Sequence, residues 1–273
     1  MADFKADDIS SAQNPRIKHL IRLRDRKSRE QEGVFLIEGS REILRAISGQ
    51  VQIEECYFCP EALSDDGKKV IATIPHAKFF RLSTAAFSKV AMREGSDGVV
   101  VTAYRQASSL ADLSPGKDLF LVAIEGVEKP GNLGAILRTA DAIGLDGVVV
   151  FDNRCDPFSP NVIRASIGAV FHIPVIATSQ TEFFNFCRDR AIKIFGAALS
   201  PDAVSYTEAD YRGGAAILCG SEAHGLSDFW LKNSSVLVKI PMLGVGDSLN
   251  VSVAAAVICF EAARQRTSVR GGI

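Results

Sequence analysis

Three stretches of this chain hold polar residues at spacings that could do chemistry. They are EGVEKPGNLGAILRTADAIG (125–144), GSEAHGLSDFW (220–230) and PMLGVGDSLN (241–250). In the first, Gly126 to Gly131 has the G-x-x-x-x-G spacing of a phosphate loop. Asn132 and Leu133 follow, however, where Lys and Ser or Thr would be needed. No G-x-G-x-x-G is present either, so the readings as a nucleoside triphosphate site or a dinucleotide site fail on their own residues. What remains is a turn entering a helix near Asn132, with Leu133, Ile136, Leu137, Ala140 and Ile143 on its apolar face. Gly134, Arg138 and Asp141 share another face. Arg138 either pairs with Asp141 or is presented past the side-chain-free Gly134 toward a planar or anionic group.

Glu222 sits in a glycine-flanked loop, where a carboxylate can orient a hydroxyl, pair with an arginine or simply be solvated. His224 beside it reads more readily as surface than as a base. The third stretch runs into an alanine-rich helix from Val251 to Ala263. The start of that helix is crowded with Asp247, Ser248, Asn250 and Ser252, although one such side chain is enough to cap it. The surplus needs a second role.

Each stretch follows an apolar run, and this is what positions it. After residue 117 the runs are 118–124, 147–151, 173–177, 193–199, 215–220 and 235–240, too continuous for strands with one wet face. Helical segments separate several of them. The pattern is α/β: a buried, mostly parallel sheet with helices on both faces, binding its ligand beyond the carboxyl ends of the strands. Residues 1–105 alternate helix and strand on a smaller scale, beginning with a basic helix near 15–30. The aperiodic, Ser- and Pro-containing run 106–117 then forms a linker to a second domain, 118–273.

Taken together, the three stretches resemble the signature motifs of the SpoU family of RNA ribose methyltransferases, of the SPOUT class. PGNLGAILRTADAIG is similar to the first motif, with Asn132, Gly134 and Arg138 at its polar positions. GSEAHGL is similar to the second, with Gly220, Glu222 and Gly225. IPMLGVGDSLNVSVAAAV is similar to the third, with Ile240, Pro241, Met242, Ser248, Leu249, Asn250 and Ser252. The resemblance covers about 118–266, with Lys129 a departure where an acidic or small residue is usual. More loosely, NPRIKHLIRLRDRKSREQEGVFLIEG resembles the ribosomal-protein-like α/β substrate-binding domain of such enzymes.

The resemblance implies a sheet closed by a deep trefoil knot and a homodimer joined through the knotted domain. It also implies S-adenosyl-L-methionine held at Ala197, Gly220, Ile240, Met242 and Leu249. The reaction would be methylation of a ribose 2′-hydroxyl without a metal, with Arg138 catalytic and Asn132, Glu222, Ser248 and Asn250 orienting the ribose. Arg138 holds its proton too firmly to be a base at neutral pH, so alkoxide stabilisation and phosphate binding suit it better. Large-subunit rRNA is the favoured substrate. A tRNA, a resistance-conferring rRNA target, a small-molecule or protein substrate, and a catalytically silent RNA-binding protein are the competing readings.

Composition sets the bounds. Net charge is −1 and 47% of residues are apolar, so no global basic field announces nucleic acid. Locally, Arg16, Lys18, Arg22, Arg24 and Arg26 crowd one segment, either as a solvated face or as contacts to RNA phosphates. The N-terminal residues lack the apolar core of a signal peptide, and no apolar run has the length of a membrane helix. The six cysteines are scattered. Cys56 and Cys59 form one C-x-x-C without a second ligand pair, so all six read as reduced core residues of a cytoplasmic protein.

Overall fold

The computed structural model describes residues 6–74, 76–93, 96–106, 108–113, 118–151 and 154–267. They form two compact units. The first comprises residues 1–106 together with 156–172. Its elements are β1 (Ala6–Ile9), α1 (Pro15–Arg22), α2 (Arg26–Glu32), β2 (Val34–Glu38), α3 (Ser40–Ser48), β3 (Ile53–Phe58), α4 (Asp65–Thr73), β4 (Lys78–Leu82), α5 (Thr84–Val90) and β5 (Val99–Tyr104). The strands make a mixed five-stranded sheet in the order β1-β4-β3-β5-β2, with β2 and β3 antiparallel to β5.

The basic helix expected near 15–30 is two helices. Asn14 caps the first, accepting from the amide of Arg16 at 2.9 Å, with Pro15 in the first turn. Asp25 restarts the chain by accepting from the amide of Ser28 at 3.2 Å, and Gly33, at φ +66°, ends α2. Strand β1 has no counterpart in the sequence reading. It is an edge strand with only Ile9 buried, so no apolar run marks it.

A further part of the first unit comes from late in the chain. Residues 156–172, expected within 118–273, group with it and carry α7 (Pro160–Ala165), which packs on β2. Phe158 lies 4.9 Å from Phe35 between ring centroids. Arg29 and Asp156 form a 2.7 Å ion pair with both side chains almost wholly buried. The guanidinium also donates to the carbonyls of Leu23 and Arg24, at 2.8 and 2.6 Å, so it braces the break between α1 and α2.

The second unit comprises residues 107–155 and 173–273. It contains β6 (Phe120–Glu125), α6 (Pro130–Ile143), β7 (Gly147–Phe151), β8 (Val175–Ala177), α8 (Gln180–Asp189), β9 (Lys193–Ala197), β10 (Val204–Ser205), β11 (Ala215–Cys219), α9 (Asp228–Asn233), β12 (Val236–Lys239) and α10 (Val251–Thr267). The strands form a seven-stranded sheet, order β10-β12-β9-β11-β6-β7-β8, parallel at every pairing. This matches the continuous apolar runs, since β6, β7 and β11 are buried at every position. From β6 the chain builds outward through β7 and β8, then crosses to β9 on the other side and returns to place β11 beside β6. That reversal opens a crevice at the carboxyl ends of β6 and β11. Register keeps the rim level, with Cys219 opposite both Ile124 and Ala197.

On one side of the sheet Phe151, Phe183 and Trp230 form an aromatic core, with Phe151 at 5.5 and 5.2 Å from the other two. Elsewhere α10 packs against α6 and β11. All six cysteines are buried, and none is disulfide-bonded.

The Arg29–Asp156 pair generates a stability prediction. Asp156→Ala strands a buried guanidinium and should lower stability by roughly 3–5 kcal/mol, whereas Arg29→Met with Asp156→Leu should cost much less. Denaturant unfolding of both variants checks this.

Candidate active site

The loop after β11 is shaped by its glycines. A β-carbon at Gly220 would lie 2.0 Å from the carbonyl carbon of Gly225, so no other residue fits there. Ser221 and Gly225 exchange two backbone hydrogen bonds of 3.0 Å, and Gly225 takes φ +67°. This closed turn holds Glu222 out over the crevice. Below it Glu125, the last residue of β6, is buried; its carboxylate accepts from the Gln180 side chain and from the amide of Ser227 at 2.8 Å. It thereby ties the end of β6 to the starts of α8 and α9.

Glu222 reaches across the crevice to the start of α6. It accepts from the side chains of Lys129 and Asn132. Like any carboxylate Glu222 is ionised at neutral pH, and the Lys129 ammonium, with help from Asn132, holds it below the usual carboxylate range. An ionised carboxylate only accepts, which turns the Asn132 amide N–H toward it. The Asn132 Oδ1 then accepts from Asn250 Nδ2 at 3.1 Å. Asn250 Oδ1 in turn accepts from the amide of Ser252 at 2.9 Å and its hydroxyl at 2.6 Å, capping α10. One polar relay therefore joins all three sequence stretches. The crowding at the start of α10 has its account here: Asn250 is both the cap and the contact to Asn132.

Two cavities flank the relay. The larger, about 890 Å³, is lined by Ala197, Gly220, Ile240, Met242 and Leu249, together with Glu222, Ser248 and Asn250. From Pro241 to Leu249 no backbone group bonds to the rest of the described chain, which leaves N–H and C=O groups free for a ligand. Cys219 also lines it, but burial pushes its thiol up to about 12, so it is no nucleophile at neutral pH. The smaller cavity, about 540 Å³, lies between the loops after β6 and β11 and is lined by Asn132, Glu222, Lys129, Glu128 and Arg154.

The SpoU rRNA Methylase family profile matches residues 119–260, the stretch holding the relay and both cavities. The chain belongs to this family. The MRM3-like substrate binding domain profile matches residues 14–101. The chain is 30% identical over 253 residues to 23S rRNA (guanosine(2553)-2′-O)-methyltransferase RlmP of Bacillus subtilis, covering 92% of this chain and 97% of that one. A crystal structure of an RNA 2′-O ribose methyltransferase is 38% identical with TM-score 0.83, covering 95% of this chain and 99% of the other. The AdoMet-bound rRNA methyltransferase of Sinorhizobium meliloti is 29% identical with TM-score 0.86, covering 95% and 98%.

Of the SpoU motif residues, Arg138 stands apart. It lies six residues beyond Asn132 on α6, about 9 Å along the axis and roughly 240° around it. It lines neither cavity. It is exposed, and among the described residues it makes no ion pair, with Asp141 or otherwise. Pairing with Asp141 is therefore not its role. Lys129, set aside in the sequence as a departure from the family pattern, is a direct partner of Glu222. The signal was its place one residue before the helix-starting Pro130. In the first unit, Arg16 is tied to Glu55 at 2.6 Å, Arg24 donates to the carbonyls of Lys89, Val90 and Ala91, and Arg26 pairs with Glu30 at 2.7 Å. Lys18 and Arg22 are exposed and make no such bond among the described residues.

Asn250 separates capping from site chemistry. Asn250→Asp keeps an acceptor for Ser252 but loses the donor to Asn132, so melting should stay within a few degrees of wild type while turnover falls. Asn250→Ala should lose both, including about 1 kcal/mol of cap stability. Thermal melts and initial rates on the two variants distinguish the roles.

Proposed function

We propose that this chain transfers the methyl group of S-adenosylmethionine to a ribose 2′-hydroxyl of large-subunit ribosomal RNA. The observation that carries this is the joining of Asn132, Glu222 and Asn250 in one relay at the wall of the larger cavity. That cavity suits the cofactor. Ile240, Met242 and Leu249 offer apolar surface to an adenine ring, and the unpaired backbone of 241–249 offers donors and acceptors to its edge. Ala197 and Gly220 complete the wall at the strand ends. The bound cofactor supplies an electrophilic methyl on its sulfonium.

The protein's residues supply position and charge. Glu222, Asn132, Ser248 and Asn250 orient the ribose, the amides held by the relay and Ser248 presenting a free hydroxyl. Arg138 binds a target phosphate and stabilises the developing alkoxide, remaining protonated throughout. Because it lines neither cavity of its own subunit, Arg138 acts at the site of a second subunit. The exposed apolar stripe of Val253 (47% exposed) and Phe260 (53%), seven residues apart on α10, favours a homodimer through that helix. The chain from β11 through 240–250 to α10 forms the trefoil knot, a reading supported by the packing of α10 on α6 and β11.

The substrate-binding domain over 14–101 and the near-complete coverage of the 23S rRNA relative favour rRNA over tRNA. An rRNA substrate supports a cytoplasmic location. Of the five basic residues singled out in this segment, Lys18 and Arg22, exposed and without a side-chain bond among the described residues, are best placed to meet RNA phosphates.

Tritium transfer from labelled S-adenosylmethionine to ribosomal RNA tests the function, with label expected in alkali-stable dinucleotides because a 2′-O-methyl group blocks alkaline cleavage. Arg138→Ala should reduce that transfer roughly 10²-fold or more at unchanged melting temperature. Retention of more than about a tenth of wild-type turnover would remove Arg138 from the chemistry.

A further inference from the structure

We infer that His224 is the base of the reaction and takes the proton of the target 2′-hydroxyl; this rests on the ribose methyltransferase reading above. With Arg138 protonated throughout, that proton needs another acceptor, and the place of the methyl transfer restricts the choice. A methyl group passing from a cofactor in the larger cavity to a ribose at the relay crosses the wall that the two cavities share. Among the described residues lining both cavities, only Glu222 and His224 carry titratable side chains.

Glu222 is the weaker candidate. Its carboxylate is spent on Lys129 and Asn132, and the ammonium that holds it below the usual carboxylate range makes it a poorer proton acceptor. His224 is the fourth residue of the closed turn Ser221–Gly225, and its amide donates to Ser221 Oγ at 3.2 Å. The backbone is thereby braced, while the exposed ring makes no bond among the described residues. A neutral imidazole keeps one ring nitrogen as an acceptor, and histidine is the side chain suited to exchange protons near neutral pH. The sequence alone favours a surface role for this residue; its place on both cavity walls gives it one in the chemistry.

The charged groups around it do not compete. On the smaller-cavity side Glu125 is held by Gln180 and Ser227, and Glu128 by Arg154. Lys129 and Arg154, as cations, only donate. Asp228 lines the smaller cavity alone, and Asp202 and Lys239 the larger one alone, so none of them stands on the shared wall. In the step itself the 2′-oxygen bonds to the methyl carbon and the carbon–sulfur bond breaks, its electron pair remaining on sulfur. The hydroxyl proton passes to a ring nitrogen of His224, whose exposure lets it return the proton to water.

The pH dependence of turnover tests this in the full-length protein with S-adenosylmethionine and unmodified ribosomal RNA transcripts. Wild-type kcat should fall toward acid across the range in which histidine titrates, about pH 5–8. Glu222 titrates farther to acid, since Lys129 holds it below the usual range, and does not produce this limb. His224→Gln should lose the limb and lower kcat roughly 10²-fold or more. Its affinity for RNA without cofactor should stay within about twofold of wild type, at unchanged melting temperature. Added imidazole should restore part of the activity lost in His224→Ala. A His224→Gln enzyme that keeps the acid limb, or more than about a tenth of wild-type kcat, overturns the inference and leaves the methyltransferase function standing. Weaker RNA binding at unchanged kcat overturns it too, because His224 would then be a binding residue. No methylation by the wild type overturns both readings.

Discussion

The Glu222 carboxylate fixes the direction of the hydrogen bonds in the relay through Asn132 and Asn250. Ionised and paired with Lys129, it can only accept, so Asn132 must turn its N–H toward it and its oxygen toward Asn250. Asn250 must then give its N–H to Asn132 and its oxygen to the first turn of α10. A neutral group at position 222 would leave each amide free to flip. The relay is thus directional because one end is a charge, and it links α6, the β11 loop and α10, which are distant in sequence.

The sheet makes that linkage possible. Glu222 and Asn132 meet because β11 returns to lie beside β6, and the level register of Ile124, Cys219 and Ala197 brings their loops out at one height. Gly220 admits the backbone of Gly225 so closely that the loop closes upon itself and has one way to present Glu222. The 241–249 segment does the opposite: it makes no backbone bonds to the rest of the described chain, and it fully exposes Leu243 and Val245. A rigid loop for orientation and an unpaired loop for ligand contact therefore line the same cavity.

Much of this was legible in the sequence. Buried parallel strands write continuous apolar runs, and the rule that ligands bind past their carboxyl ends selected the three stretches that the structure joins. Interactions that leave no local pattern were not legible. Arg29 and Asp156 are 127 residues apart, and nothing near either announces a buried ion pair or the grouping of 156–172 with the first unit. The break at Asp25 turns on a single capping side chain within an otherwise helical, basic run. Strand β1 buries only Ile9 and so writes no period. Lys129 and Glu125 were present in the quoted stretch, but their roles depend on partners in other loops.

The measurement that tests the account most directly is the turnover of Glu222→Gln at saturating cofactor and RNA, read beside its melting temperature. Glutamine keeps the size of the side chain but loses the charge that holds Lys129 and directs Asn132. With the fold intact, kcat should fall roughly 10²-fold. A folded Glu222→Gln enzyme turning over at more than about a tenth of the wild-type rate would contradict the account, because the amides would then be oriented by something other than this carboxylate.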